Sequence, residues 1–336
     1  MTRPAAALVL VCLVAGAGLM LSAQRSRGVV RSQLLWVDRA GKKLATVGEL
    51  ADLGNLELSP DNKRVAVAVL NETSGTRDLW LYDLATGSRM RLDSSVADEN
   101  WLVWSPDGRR VAFNSQRTRG LDLYQTSSQA NDRQELLVAN DDGKWPVSWS
   151  PDGRFLLFVS SSEGTGNDIW VLPLAGDRKP YPFLKTDSQE NWAAFSPNGR
   201  WVAYSSTESG QAEVYVTPFP KSGAKWLVSR RGGFQARWRR DGKELFFMAP
   251  DSRLMAAEVN SEGRDFEVSG VKPLFDVHFP YAPYHAFDVA ADGQRFLVNS
   301  LLLGPGGVPR AASLASDDGD EIRRGAGVSL RSSDRP

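Results

Sequence analysis

The sequence predicts an all-β, six-bladed β-propeller, and three observations predict it. One short pattern recurs six times, the copies keep a near-constant spacing, and each full period between copies carries enough strand-forming sequence for four short strands. The pattern is an apolar residue, then Ser-Pro-Asp-Gly or a worn version of it, then a β-rich run. Its copies are Leu58-Ser59-Pro60-Asp61, Trp104-Ser105-Pro106-Asp107, Trp149-Ser150-Pro151-Asp152, Phe195-Ser196-Pro197-Asn198, Trp238-Arg239-Arg240-Asp241 and Val289-Ala290-Ala291-Asp292. Aligned on positions 61, 107, 152, 198, 241 and 292, neighbouring copies are 43 to 51 residues apart.

Each element of a blade follows from its residues. The first strand precedes the turn, as in Trp101 to Trp104. In the turn, Pro presets φ, Asp bonds its own backbone and Gly accepts positive φ. The second strand is β-branched and aromatic, as in Arg110-Val111-Ala112-Phe113 and Trp201-Val202-Ala203-Tyr204. The third opens with an acid, an apolar residue and an aromatic: Asp78-Leu79-Trp80, Asp122-Leu123-Tyr124, Asp168-Ile169-Trp170 and Glu213-Val214-Tyr215, with a degenerate Arg253-Leu254-Met255. A hairpin turn holding Gly87, Gly176, Gly223 or Gly263 leads to the fourth strand.

The sixth copy, ending at Val298, supplies only a first and a second strand. Its missing partners stand at the other end of the chain, where Leu34-Leu35-Trp36-Val37, the Gly41 turn and Leu44 to Val47 match the third-strand column, with Trp36 under Trp80 and Trp170. The last blade is therefore expected to be shared between the two termini, which removes the exposed edges of an open array. Most of the eleven Trp fall in two repeat columns, where they are expected to pack between blades.

The domain layout follows. Residues 1–24 are an uncharged apolar run after Arg3, read as a signal peptide or a membrane anchor. Residues 25–33 form a linker, 34–300 the propeller, and 301–336 a polar tail rich in Gly, Ser, Asp and Arg that should be disordered. Forty basic and forty acidic residues cancel, so no basic field points to nucleic acid. The only cysteine, Cys12, lies in the leader, so the propeller itself holds neither a disulfide nor a cysteine metal site.

The repeats at 34–300 resemble the WD40-like repeat family of TolB-type β-propellers, through the turns at 59, 105, 150 and 196 and the acid-led strands at 78, 122 and 168. The order Leu35-Trp36-Val37-Asp38-Arg39, Gly232-Gly233-Phe234 and Asp292-Gly293-Gln294-Arg295-Phe296-Leu297-Val298-Asn299 further resembles the extracytoplasmic sensor propeller of bacterial membrane serine/threonine kinases. No glycine-rich loop, His-Arg-Asp or Asp-Phe-Gly is present, so that resemblance carries no kinase activity and implies a free-standing sensor or, alternatively, the detached sensor part of a serine/threonine kinase. It implies a periplasmic or extracytoplasmic binding, sensor or scaffold module, with a protein, peptide or small-molecule partner and no cofactor. A monomer is expected, touching membrane only through its N-terminal segment.

Propellers bind at the channel mouth, in the loops that lead into the innermost strands. Two loop columns precede each turn: Gly54, Asn100, Trp145, Asn191, Phe234 and His285, and one residue earlier Leu53, Glu99, Lys144, Glu190, Gly233 and Tyr284. The candidate ligand-binding residues are Glu99, Asn100, Trp101, Lys144, Trp145, Glu190, Asn191, Trp192, Phe234, Gln235, Tyr284 and His285. The bland alternative is that Trp101 and Trp192 cap the core and the two Glu are solvated. The turn acids stand one per blade, too far apart to share a calcium ion, and two histidines exclude a His-rich metal site. No Gly-x-Ser-x-Gly elbow occurs, so no serine hydrolase is encoded, which leaves a lyase or other hydrolase using the funnel as the enzymatic alternative. Arg230, Arg231, Arg237, Arg239 and Arg240 read as a solvated face, or alternatively as an anionic-ligand patch near the fifth blade.

Overall fold

A computed structural model describes residues 31–301, except 93, 94, 119, 130–132, 163, 264 and 281–283. The expected leader, the start of the linker and the polar tail beyond 301 lie outside the described residues. Twenty-four strands form six four-stranded antiparallel sheets, and the described residues contain no helix. Blade 1 is β3 (Leu53–Leu58) to β6 (Arg89–Arg91), and blade 2 is β7 (Glu99–Trp104) to β10 (Glu135–Val138). Blade 3 is β11 (Gly143–Trp149) to β14 (Tyr181–Leu184), blade 4 is β15 (Glu190–Phe195) to β18 (Trp226–Leu227), and blade 5 is β19 (Phe234–Trp238) to β22 (Glu267–Asp276). Blade 6 runs β2 (Lys43–Ala51), β1 (Ser32–Asp38), β24 (Arg295–Leu301), β23 (Phe287–Val289). The expected closure is present: β1 pairs with β24 from Ser32 opposite Leu301 to Asp38 opposite Arg295.

The repeated turn is a small hydrogen-bonded machine. In the first copy, Ser59 Oγ donates to Asp61 Oδ1 (2.6 Å) and accepts from the Arg64 amide (2.9 Å), while Asp61 Oδ1 also accepts from the Lys63 amide (3.0 Å). The copies at Ser105, Ser150 and Ser196 repeat this pattern. Gly153, at φ 74°, takes the left-handed position, which Asn62 fills in the worn first copy. In blades 1 and 4 the acid that opens the third strand ties it to the fourth strand or to the loop that follows it. Asp78 pairs with Arg91 (2.6 Å), and Glu213 accepts the Gly232 amide (2.9 Å).

Six apolar clusters form the core, one at each seam between neighbouring blades. The pre-turn Trp residues sit in these seams. Trp238 of blade 5 packs with Trp201, Val214 and Phe266 and donates from its indole to the Ala194 carbonyl of blade 4 (3.0 Å). Trp104 of blade 2 donates to the Glu57 carbonyl of blade 1 (3.1 Å) and lies under the Arg64 guanidinium.

The fifth turn, where Arg239 and Arg240 replace Ser-Pro, is built from ion pairs instead. Glu244 accepts from Arg239 (2.6 Å) and from both Nη atoms of Arg39 (2.8 and 3.0 Å), and Arg39 also donates to the Gly293 carbonyl (2.8 Å). Arg39 belongs to the β1–β2 turn, so this cluster fastens the N-terminal half of blade 6 to blade 5. It also revises the solvated-face reading of the basic run: Arg239 is committed to this clasp, Arg237 is buried, and only Arg230, Arg231 and Arg240 are exposed.

Two stability measurements test this account. Trp238→Ala should cost about 3–5 kcal/mol in denaturant unfolding, as a large buried ring leaves a cavity in one seam; a near-neutral result contradicts the seam packing. Glu244→Ala should cost about 2 kcal/mol, the scale of charge-assisted hydrogen bonds, and should add less than independently to Arg39→Ala because the two share one contact.

Candidate functional site

The innermost strands are interrupted near the channel mouth. In blades 1 to 5 the register between first and second strands slips at one repeat position, between Leu53 and Leu56, Asn100 and Leu102, Pro146 and Ser148, Asn191 and Ala194, and Phe234 and Arg237. Such bulges re-aim the side chains beside them. At three of them a non-glycine residue takes the left-handed conformation: Trp101 (φ 37°), Trp192 (φ 50°) and Gln235 (φ 57°). Large side chains rarely adopt this backbone, and clustering of such residues around one opening marks strain held in place by its surroundings.

The re-aimed rings form the mouth. Trp101 stacks on Trp145 (centroids 5.8 Å apart) and meets Tyr284 (5.7 Å) and the His285 ring edge-on (6.0 Å). Trp192 packs against Phe234 (5.6 Å). Trp101 is buried by its neighbours, whereas Trp145, Trp192, Phe234 and Tyr284 keep part of their surface open. An amide layer braces these rings. Asn100 Nδ2 donates to the Tyr284 hydroxyl (2.9 Å), Gln235 Nε2 to the Tyr284 carbonyl (2.6 Å), the Ala286 amide to Gln235 Oε1 (2.8 Å), and the His285 amide to Asn55 Oδ1 (3.0 Å). Arg77 lies over the Tyr284 ring at 5.3 Å. Asn191 is half-buried and accepts from Asn167 Nδ2 (3.0 Å).

The other predicted residues sit behind this surface. Neither glutamate is solvated: Glu99 is buried and paired with Arg117, and Glu190 is buried and accepts from the Thr186 hydroxyl (2.5 Å). Burial pushes the Glu190 carboxyl above its ordinary value. Lys144 is fully buried, donates to the Asn140 and Asp142 carbonyls (3.0 and 2.7 Å) and lies 3.6 Å from Asp122. His285 is buried beneath Trp101, and its Nδ1 has no hydrogen-bond partner. Burial, with the nearby Arg237 charge, holds it neutral far below the usual imidazole range.

Below the amides lies a group that is absent from the predicted site residues, Arg237 having been read only as part of the basic run. Glu57, Ser148, Arg237 and Asp288 occupy one repeat column, four residues before the turn position. Three of them accept a backbone N–H from the following blade: Asp288 from Leu58 (2.8 Å), Glu57 from Trp104 (3.0 Å) and Ser148 from Phe195 (3.0 Å). Arg237 Nε lies 3.7 Å from Asp288 Oδ1, while Nε and one Nη of Arg237 make no hydrogen bond. The visible signal was charge within an otherwise apolar strand. Burial, reinforced by Asp288 and opposed by Arg237, pushes the Glu57 carboxyl up to about 8; burial also raises Asp288.

This has a definite sign. The folded chain holds the Glu57 proton more tightly than the unfolded chain, whose carboxyl keeps its ordinary value of 4.5. The stability it contributes is complete below that value and is lost as the pH rises to about 8. Glu57→Gln keeps the acceptor for the Trp104 amide and removes the titration. Denaturant unfolding across this range should therefore show the parent losing stability relative to the variant, and parallel curves would refute the raised carboxyl.

No family model matches the chain. Among curated proteins it is 26% identical to the uncharacterised peptidase YuxL of Bacillus subtilis over 225 residues, covering 52% of this chain and 34% of that one. It is 29% identical to the Tol-Pal system protein TolB of Anaeromyxobacter dehalogenans over 128 residues, covering 38% and 29%. The chain thus spans about a third of the length of these two relatives. Among solved structures, one from Agrobacterium tumefaciens described as a TolB aligns with TM-score 0.65 at 17% identity, covering 81% of this chain and 98% of that one. The oligogalacturonate lyase of Vibrio parahaemolyticus aligns with TM-score 0.53 at 12% identity, covering 80% and 78%. With its six blades, its split closing blade and its Ser-Pro-Asp-Gly turns, the chain has the fold of the TolB-type six-bladed β-propellers.

Proposed function

We propose that the chain is a non-enzymatic binding module of the cell envelope, a sensor or scaffold that takes a protein, peptide or small ligand at the aromatic channel mouth. One observation carries this reading: two tryptophans and a glutamine are held at positive φ around a single opening, so that Trp145, Trp192, Phe234 and Tyr284 present partly open rings on a braced platform. Rigid aromatic surface binds with little loss of side-chain entropy. The carboxylates nearest the mouth, Glu99 and Glu190, are engaged by Arg117 and Thr186. The likeness to a TolB and the apolar leader support an envelope location and a protein partner.

An enzymatic second reading rests on His285, whose unpartnered Nδ1 lies under the mouth with Arg237 beside it. It requires Trp101 to swing aside before a substrate reaches the imidazole.

In-cell crosslinking with the parent and with Trp192→Ala/Phe234→Ala separates these readings. An envelope protein or peptide captured by the parent and lost in the variant, with unfolding unchanged, is the expected outcome. Turnover of oligogalacturonate or of a peptide substrate, abolished by His285→Ala, would overturn the binding reading in favour of an enzyme.

A further inference from the structure

We propose that the outer cleft between blades 4 and 5 is a second docking surface, for an extended acidic peptide segment carrying apolar side chains. It is separate from the channel mouth and does not rest on the reading of that mouth.

The cleft arises because one outer strand is too short. β18 has two residues, Trp226 and Leu227, whereas β22 of the adjoining blade has ten. The outer part of blade 4 therefore stops before it covers the facing surface of blade 5. A cleft of about 620 Å³ remains, with Leu227, Met255, Val268 and Val271 in its wall. Leu227 and Val271 stay 42% and 43% exposed, and they stand together on this one cleft.

The rim carries cationic side chains that have no carboxylate partner among the described residues. Arg230 and Arg231 are exposed, and among the described residues neither forms an ion pair. Arg253, on the same rim, is matched by Asp251 (2.6 Å) and Asp276 (3.7 Å). The unmatched charge is thus two adjacent guanidinium groups beside an apolar trough.

These arginines stand on a pinned loop. Glu213, buried in blade 4, accepts from the Ser229 hydroxyl with one carboxylate oxygen and from the Gly232 amide (2.9 Å) with the other. Ser229 Oγ accepts the Val214 amide (2.8 Å), and the Gly233 amide donates to the Ala212 carbonyl (2.8 Å). Gly232, at φ 88°, presses so closely on Pro250 that a Cβ there would lie 2.3 Å from the proline ring. The loop is held at both ends, so the backbone that carries Arg230 and Arg231 needs no ordering on binding. Paired guanidinium groups favour carboxylates, and an extended segment with alternating side chains can place acids on the rim while its apolar groups enter the trough.

The test is a selection of displayed random short peptides on the whole protein, with synthetic copies of the enriched sequences measured by fluorescence anisotropy. Acidic, apolar sequences should be enriched. Their affinity should fall roughly tenfold or more in Arg230→Glu/Arg231→Glu, about the effect of losing a pair of charge contacts, should fall in Val271→Asp, and should be unchanged in Trp192→Ala/Phe234→Ala. Enriched peptides without acids, or binding that survives the arginine reversal, overturn the proposal. Binding lost only in the mouth variant also overturns it, while leaving the mouth reading intact.

Discussion

The innermost strand of every blade is a sheet edge, and its channel-facing N–H groups have no neighbouring strand to bond. An unpaired buried amide costs as much as a lost hydrogen bond, so something must reach it. Here side chains of the preceding blade do so: Asp288 serves Leu58, Glu57 serves Trp104 and Ser148 serves Phe195. This constraint draws carboxylates into the bore. Arg237 then balances Asp288, and the Glu57 carboxyl is held above its ordinary range. The charged layer of the channel is a consequence of closing six edges around one axis.

The same geometry shapes the mouth. A strand that must turn away from the axis as it leaves the core does so through a bulge, and the bulge throws the next side chain across the opening. Trp101 and Trp192 are placed this way, and the amides of Asn55, Asn100 and Gln235 hold the result. Platform and strain are one feature. The side chains best able to recognise a ligand are aromatic, while the charged groups of the same columns turn back into the wall.

The ring is kept shut at two levels. Apolar seams, each with its own cluster, supply most of the buried surface. The closing blade adds a seven-residue strand pairing and the Arg39–Glu244–Arg239 clasp to its neighbour. The replacement of Ser-Pro by Arg-Arg in the fifth turn is thereby explained at Arg239: it takes over the local bond to the turn acid Asp241 and holds Glu244, the carboxylate that Arg39 of the closing blade reaches across the seam. Where blade 4 ends early, no such contact covers the gap, and an apolar trough stays open.

Blade number, turn positions and the sharing of the last blade were legible in the sequence because each rests on local chemistry repeated at a fixed interval. Pro, Asp and Gly make the same turn wherever they recur, and a strand without a partner at one terminus implies one at the other. The columns around the mouth were legible for the same reason. Which members of those columns face the opening was decided by tertiary structure. Glu99 and Lys144 follow alternation along a strand, but burial beside Arg117 and Asp122 depends on side chains from elsewhere in the fold. The bore depends on residues as far apart as Leu58 and Asp288, 230 positions distant, which only ring closure brings together. Local rules determine the blade; the environment of a charge is set by the neighbours that closure supplies.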